Sequence, residues 1–329
     1  MNHIRIAGTG SYLPPKRLTN QDLADMGLDV SDEWIVQRTG IHERRIAGNG
    51  VTTSDLAVRA SQAALAAAGI KASAVDLIIV ATITPDTSCP SAANWLQAKL
   101  DAPQAISFDI AAACSGFIFG LNVAQQYIRS GTCRCTLVVA AEVMSRTLDW
   151  SDRSTCILWG DGAGAAVLVN GEEGPKLLST HVHTDGANGR NLLLPGGGSS
   201  TTPISHESVD RRVHTLNMIQ ANRSFKIAVK HFMAAIKEGV HHNQLHIDDI
   251  DWFIPHQANT RMFHSIAEQM KIPFEKFYLT LHKYGNISSA SCAIALDEAA
   301  KNSKFKTDDL ICLPVFGGGL TWGSTMVHW

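Results

Sequence analysis

Cys114 is the residue of this chain best placed to act as a nucleophile. It follows an apolar segment that ends near Ile110 and three small residues, Ala111, Ala112 and Ala113. It opens a predicted helix, 115–129, whose first turns carry Phe117, Ile118, Phe119, Leu121 and Val123 on every face. A helix with no polar face is buried. The macrodipole and free N–H groups at its start favour a thiolate and predict a lowered thiol pKa. The small neighbours Ala113, Ser115 and Gly116 leave room for a substrate to approach. The other six cysteines, 89, 133, 135, 156, 292 and 312, are irregularly spaced and contain no C-x-x-C pair. They read as small buried hydrophobes in a reducing, cytoplasmic setting.

A nucleophilic cysteine needs a partner that can hold or move a proton. His256 stands out among the 14 histidines because it follows the apolar segment DWFIP directly and precedes a helix. That is the carboxyl end of a predicted parallel strand, where open α/β sheets place ligands. His181 and His183 alternate in a strand-like segment but have no carboxylate or cysteine at metal-ligand spacing, so no metal site is expected. Asn286, in KYGNISSASCAIAL, precedes an apolar helix, and taken alone it reads as a helix cap or turn residue. GDGAGAAVL (160–168) lacks the Lys-Ser/Thr of a phosphate loop, and no helix follows it. FGGGLTWG (316–323) follows a strand, and its glycines would let backbone N–H groups approach a ligand, as an oxyanion hole requires.

The elements that must carry these residues alternate along the chain. Strands are expected at 4–8, 76–84, 105–110, 136–142 and 164–169, with helices at 54–68, 91–100 and 115–129. Ser54 is the expected N-cap of the first of these helices, and Gly69 marks its end. The second part repeats the grammar with helices at 224–239, 258–270 and 288–300 and strands at 251–255 and 310–316. Thr136 lies 60 positions after Asp76, and Leu310 lies 59 after Asp251. Matching order and offsets predict an α/β fold made of two halves, 1–172 and 173–329. The second would place Asn286 near the position Cys114 holds in the first. Residues 196–212, glycine-rich and polar, read as a surface loop.

Composition narrows the classes. The 329 residues include 28 Lys+Arg and 30 Asp+Glu, a net charge of −2, with 45% hydrophobic and 18% charged residues, which excludes a disordered chain. The balanced charge argues against a nucleic-acid or anionic-membrane partner. MNHIRIAGTGSYLPP has no apolar run suited to a signal peptide, and no segment approaches the ~20 apolar residues of a membrane span.

Taken together, these motifs resemble the β-ketoacyl-acyl-carrier-protein synthase III family over essentially the whole chain. The resemblance rests on SDEWIVQRTGIHERR (31–45), PSAANWLQ (90–97), DIAAACSGF (109–117), SDRSTCILWGDGAGAAVL (151–168), PHQANTRM (255–262), YGNISSAS (284–291) and VFGGGLTWGS (315–324). It implies a thiolase-like fold with duplicated halves in five αβαβα layers, and a Cys114–His256–Asn286 triad. Cys114 would take an acyl group from acyl-CoA. His256 and Asn286 would stabilise the enolate formed when malonyl-acyl-carrier protein loses CO2. The N–H groups of Cys114 and Gly318 would form the oxyanion hole, and no cofactor would be needed. Trp34, Arg38 and Arg153 would hold CoA, and Asn222, Phe225 and Asn259 would line the pantetheine arm. Phe316 and position 89 would border the acyl pocket, and Lys226, Lys230 and Arg261 would meet an acidic carrier protein.

Two departures carry expectations. Cys89 stands where acetyl-primed members often have a bulky aromatic residue, which predicts tolerance of longer or branched primers. Glu268 and Gln269 dilute the basic face after His256. The same resemblance implies a homodimer formed through segments 85–100 and the surroundings of Cys114. A thiolase would need a second cysteine where Val315 and Phe316 stand, and an elongating synthase would need a second histidine in place of Asn286. A papain-like hydrolase has another order of elements. A silent scaffold subunit would have no reason to keep all three triad residues. The remaining alternative is a related synthase or acyltransferase of secondary metabolism that uses longer or unusual acyl-CoA.

Overall fold

The computed structural model describes residues 3–199, 204–218 and 221–329, without the side chains of 221–224. Nine strands form one ladder: β1 (Ile4–Tyr12), β2 (Leu77–Ala81), β3 (Ile106–Ile110), β4 (Cys135–Val143), β5 (Asp161–Asn170), β6 (Lys176–Thr184), β7 (Trp252–Phe253), β8 (Leu310–Gly317) and β9 (Thr321–His328). Their spatial order is β7-β8-β9-β6-β1-β5-β4-β2-β3. The principal helices are α1 (Asp32–Thr39), α2 (Thr53–Ala68), α3 (Ala92–Leu100), α4 (Gly116–Arg129), α5 (Ala221–His242), α6 (Thr260–Met270) and α7 (Ala290–Lys301).

The ladder contains the same pattern twice. From β1 outward, β5 and β4 pair antiparallel, then β2 and β3 pair parallel. From β6 outward, β9 and β8 pair antiparallel, then β7 pairs parallel with β8. An isolated parallel bridge, Phe253 to Phe277, stands where a fifth strand would lie. The two patterns join through the single pair Arg5–Lys176.

Strand periodicity sends alternate side chains to opposite layers. Leu77, Ile79 and Ala81 face the central helices α4 and α7, whereas Ile78 and Val80 face the outer helices α2 and α3. In the second half, Ile311, Leu313 and Val315 point to the central layer and Cys312 points to α5 and α6. This gives five layers: α2/α3, sheet, α4/α7, sheet, α5/α6. Strands buried on both faces explain the continuous apolar runs. Truncating Ile79, which is fully buried, would cost about 2–5 kcal/mol. Gly10 lets α2 pack on β1, because a Cβ there would lie 2.3 Å from the Ala60 carbonyl oxygen.

Most expected elements are present, with local corrections. The N-cap of α2 is Thr52, which forms a capping box with Asp55, while Ser54 instead donates to Asp86 at 2.5 Å. The strand expected over 76–84 ends at Ala81, because the hydroxyls of Thr82 and Thr84 turn to Glu142. The expected loop 196–212 contains a short helix, His206–Asp210, capped by Ser205. Among the described residues no helix is long and apolar enough to cross a membrane.

Candidate active site

Cys114 lies in a single turn, Ala113–Ser115, between β3 and α4. Ala113 takes φ 46°, a left-handed conformation that costs a non-glycine residue ~1 kcal/mol and reverses the chain after β3. Thr321, the first residue of β9, fastens this turn to the glycine run. Its hydroxyl lies 3.0 Å from the Ala112 carbonyl oxygen and 3.1 Å from that of Gly318, and its own carbonyl accepts the Ser115 hydroxyl at 3.1 Å. The sulfur faces the backbone N–H groups of Cys114 and Gly318, both of which favour its charged form.

Burial has the larger effect on the sulfur. It pushes the Cys114 thiol up to about 12; the Ser288 hydroxyl and the two N–H groups oppose it, and the Glu142 carboxylate adds to it. The expectation of a lowered thiol pKa is therefore corrected: desolvation outweighs the helix terminus and the resting residue is a thiol. His256 is buried as well, and burial brings its pKa down to about 3, with the Ser288 backbone working the other way. Ser288 meets both, so a neutral thiol and a neutral imidazole share this neighbour.

Ladder contacts continuing from β7 into β8 hold His256: its N–H donates to the Pro314 carbonyl at 3.0 Å. The adjacent Gln257, fully buried, accepts the Thr280 and Leu281 N–H groups at 2.8 and 3.2 Å and donates to the Pro255 carbonyl. Among the described residues His256 Nδ1 has no hydrogen-bond partner. Asn286 is fixed by a short parallel bridge with Trp159. Its N–H donates to Leu158 at 2.8 Å, and its carbonyl accepts the Gly160 N–H at 2.9 Å. Its Oδ1 accepts the Ser288 N–H at 2.8 Å, so the side chain has its NH2 group left to offer. Behind this bridge lies Arg44, fully buried, which donates to the carbonyls of Leu18 and Ile157 and to Asn20 Oδ1.

Sequence reasoning missed Ser288 and Glu142. Ser288 takes φ 47° and is fully buried at the junction of all three triad residues. Glu142 accepts the hydroxyls of Thr82, Thr84 and Ser289 at 3.1, 2.7 and 2.8 Å and the Ile83 N–H at 3.1 Å, which joins the β2 end to the Asn286 loop. A glutamate inside the apolar strand CTLVVAAEV was the signal available.

Trp34, Arg38 and Arg153 come together: the two guanidinium carbons lie 4.2 and 5.1 Å from the Trp34 ring centroid. Arg153 also pairs with Asp29 at 2.6 Å. Asn259 caps α6 through the Arg261 N–H and donates to the Arg38 carbonyl at 2.9 Å, which links this cluster to the His256 loop. Phe225 is half-buried on α5 among the apolar residues beneath α6. The side chain of Asn222 lies outside the described residues. Lys226 and Lys230 are exposed one turn apart on α5, and Arg261 is exposed on the neighbouring α6.

A cavity of about 890 Å³ opens behind the nucleophile's turn, bordered by Ala113, Gly318, Gly319, Ile83, Leu192 and Leu216. Ser88 lines it, but Cys89, exposed, does not. Phe316 also lies outside it, packed against His231 and Phe232. Among the described residues no group of three or more His, Cys, Asp or Glu is arranged to hold a metal ion.

The chain matches the family model for 3-oxoacyl-[acyl-carrier-protein] synthase III over residues 108–186 and the model for its C-terminal part over 240–329. It is 49% identical to the β-ketoacyl-[acyl-carrier-protein] synthase III of Caldanaerobacter subterraneus subsp. tengcongensis, over 98% of this chain and 97% of that protein. The crystal structure of 3-oxoacyl-[acyl-carrier-protein] synthase III from Aquifex aeolicus superposes with a TM-score of 0.90 at 40% identity, covering 99% of this chain and 100% of that one. The priming β-ketosynthase of a polyketide biosynthetic pathway also superposes at 0.90, with 32% identity over 99% of this chain and 96% of its own. With a thiolase-like fold, a buried thiol at a helix entrance and full-length identity of this order, the chain belongs to the β-ketoacyl-[acyl-carrier-protein] synthase III family of condensing acyltransferases.

Proposed function

We propose that this chain starts fatty-acid synthesis by condensing an acyl-CoA primer with malonyl-acyl-carrier protein to give a 3-oxoacyl-acyl-carrier protein. The observation that carries the reading is a buried thiol facing the Cys114 and Gly318 N–H groups, joined through Ser288 to an imidazole that burial holds neutral. In the first half-reaction the Cys114 sulfur forms a bond to the thioester carbonyl carbon while the bond to the CoA sulfur breaks. The thiol proton leaves with CoA. The two N–H groups receive the negative oxygen of the tetrahedral intermediate.

In the second half-reaction the malonyl C–CO2 bond breaks and its electron pair becomes an enolate. The neutral His256 and the Asn286 NH2 group donate to the enolate oxygen. A strong base is not required, which suits a histidine this hard to protonate. The carbanion then attacks the Cys114 thioester and the thiolate leaves. All of this is thioester chemistry that side chains and backbone can perform, with no cofactor taking part.

Trp34, Arg38 and Arg153 are assigned to CoA, with the indole free to stack adenine once Arg153 moves aside and the guanidinium groups suited to phosphates. Asn222, Phe225 and Asn259 are assigned to the pantetheine arm, and Lys226, Lys230 and Arg261 to the carrier protein. Cys89 is assigned to the acyl pocket from the partner subunit of a homodimer, whereas Phe316, packed on His231 and Phe232 outside the cavity, is not assigned to it. The free edge of β3, with Ile106 49% exposed and Trp95 of α3 40% exposed nearby, supports that dimer. The duplicated strand order supports dividing the chain into halves 1–172 and 173–329. Seven free cysteines fit a cytoplasmic setting. The size of the cavity favours a second reading, priming with longer acyl groups in secondary metabolism.

Intact-protein mass after mixing with acyl-CoAs from acetyl to decanoyl tests the reading. One acyl group should add to the wild type and none to Cys114→Ser, and adding malonyl-acyl-carrier protein should discharge it as the 3-oxoacyl product. No adduct with any acyl-CoA would overturn the reading.

A further inference from the structure

We infer that the Ser288 hydroxyl is a fourth catalytic group, one that donates a hydrogen bond to the Cys114 sulfur as negative charge develops on it. The inference rests on the reading of Cys114 as the nucleophile. Ser288 is fully buried, yet among the described residues its Oγ completes no hydrogen bond. Buried hydroxyls without partners are rare and costly to keep. Its backbone is committed to the other two triad residues: the N–H holds Asn286 Oδ1 at 2.8 Å, and the Ser288 backbone also meets the His256 imidazole. Its φ of 47° turns the chain sharply before α7. The next residue, Ser289, abuts the nucleophile's helix, since a Cβ on Gly116 would lie 3.3 Å from the Ser289 Cβ. The two turns are therefore packed together, with the unpartnered hydroxyl facing Cys114.

The protonated thiol does not complete this contact, because it is a poor acceptor. A thiolate, or the sulfur of the departing enzyme thioester, accepts well. A donor already in place when charge appears is the arrangement that stabilises a transition state without reorganisation. Among the side chains near the sulfur, the Ser288 hydroxyl is the one that favours its charged form. The titratable group acting on the sulfur is Glu142, from the end of β4, which opposes that form; His256, neutral, meets the Ser288 backbone. The turn before α4 contributes the Cys114 N–H, and the turn after β8 contributes that of Gly318.

The test uses two variants, Ser288→Gly and Ser288→Ala. Glycine accepts the positive φ without cost, so Ser288→Gly removes the hydroxyl while keeping the turn. Two rates are measured across pH in the full-length protein: alkylation of Cys114 by iodoacetamide, followed by peptide mass with added glutathione as internal control, and single-turnover acylation by acetyl-CoA. Both variants should lose about tenfold or more in each rate, with the alkylation profile of Cys114 displaced by about one unit toward higher pH and that of glutathione unchanged. A Ser288→Gly protein with wild-type rates and an undisplaced profile overturns the proposal, whatever Ser288→Ala does, because it leaves the residue a purely conformational role. If Cys114→Ser still takes up the acyl group, the nucleophile reading falls and the catalytic assignment of Ser288 falls with it. A displaced alkylation profile in Ser288→Gly would then show the contact alone.

Discussion

Gly317 lies directly against Cys114: a Cβ on the glycine would sit 2.8 Å from the Cys114 nitrogen, 3.0 Å from that of Ser115 and 3.1 Å from the Cys114 Cβ. The last residue of β8 is thus part of the wall that aims the proposed nucleophile. Gly317→Ala should push the Cys114 turn away from the Gly318 N–H. A misplacement of that kind costs ~100-fold in acylation, against about 1–3 kcal/mol in stability. Single-turnover acylation beside urea unfolding separates the two, and an alanine variant that acylates at the normal rate would refute the tight geometry.

The buried neutral His256 makes stability depend on pH in a definite direction. Its folded pKa of about 3 is far below the ordinary 6.5, so between those values the unfolded chain binds a proton that the folded one refuses. The stability it contributes is complete above the unfolded value and is lost as pH falls toward the folded one, roughly 4–5 kcal/mol in all. Urea midpoints of wild type and His256→Asn should converge or cross as the solution is acidified. Parallel curves would show that the imidazole is not held neutral.

Arg153 and Arg38 both lie over Trp34. Arg153→Ala should raise KM for acyl-CoA about tenfold with little change in kcat, because the proposed contact of the guanidinium is with a part of the substrate remote from the reacting carbon. Added salt should shrink the difference between variant and wild type. An unchanged KM would remove Arg153 from the CoA site.

Cys89 is exposed in the isolated chain, and its neighbours Thr87 and Ser88 line the cavity. A small residue here should accommodate longer or branched primers, and Cys89→Phe should cut kcat/KM for them by about tenfold or more relative to acetyl-CoA. A chain-length series on both proteins reads this directly. An acetyl-only profile for the wild type would discard the idea.

Arg44 is fully buried with no carboxylate at salt-bridge distance among the described residues, and burial brings its pKa down to about 10 against the weaker pull of Glu43, Asp22 and Asp32. Arg44→Met would strand the carbonyls of Leu18 and Ile157 and the Asn20 amide oxygen, a loss of about 2–4 kcal/mol. Because Ile157 precedes the bridge that holds Asn286, the condensation step should slow more than acylation does. Urea unfolding together with separate assays of the two half-reactions would show it.

Much of this architecture was legible in the chain. Apolar runs such as Leu77–Ala81 signalled strands covered on both faces, and Gly69 marked the end of α2. Cys114, His256 and Asn286 stood out as candidates because each stands where a strand or bridge gives way to a helix. The contacts that hold them were not, because they cross long sequence distances: Thr321 with Ala112, Glu142 with Ser289, Asn286 with Leu158. The thiol's electrostatics were misjudged for a related reason. A helix terminus can be read from local sequence, whereas the desolvation that outweighs it comes from the whole fold. Strand β9 went unassigned because its pairing partners, β8 and β6, reveal it better than its own residues do.

The two left-handed residues, Ala113 at φ 46° and Ser288 at φ 47°, precede the two central helices, one in each half. Aligned on them, Cys114 corresponds to Ser289, and Asn286 falls two residues ahead of the turn rather than opposite the cysteine. Duplication of one ancestral turn, followed by division of labour, would leave this trace: one copy kept a reacting sulfur, and the other came to supply only donors. Neither copy could then work by itself. Two separately expressed halves should each be inert and regain activity only on reassociation, and a circular permutant opened between β5 and β6 should keep it, since catalysis here belongs to the seam between the repeats.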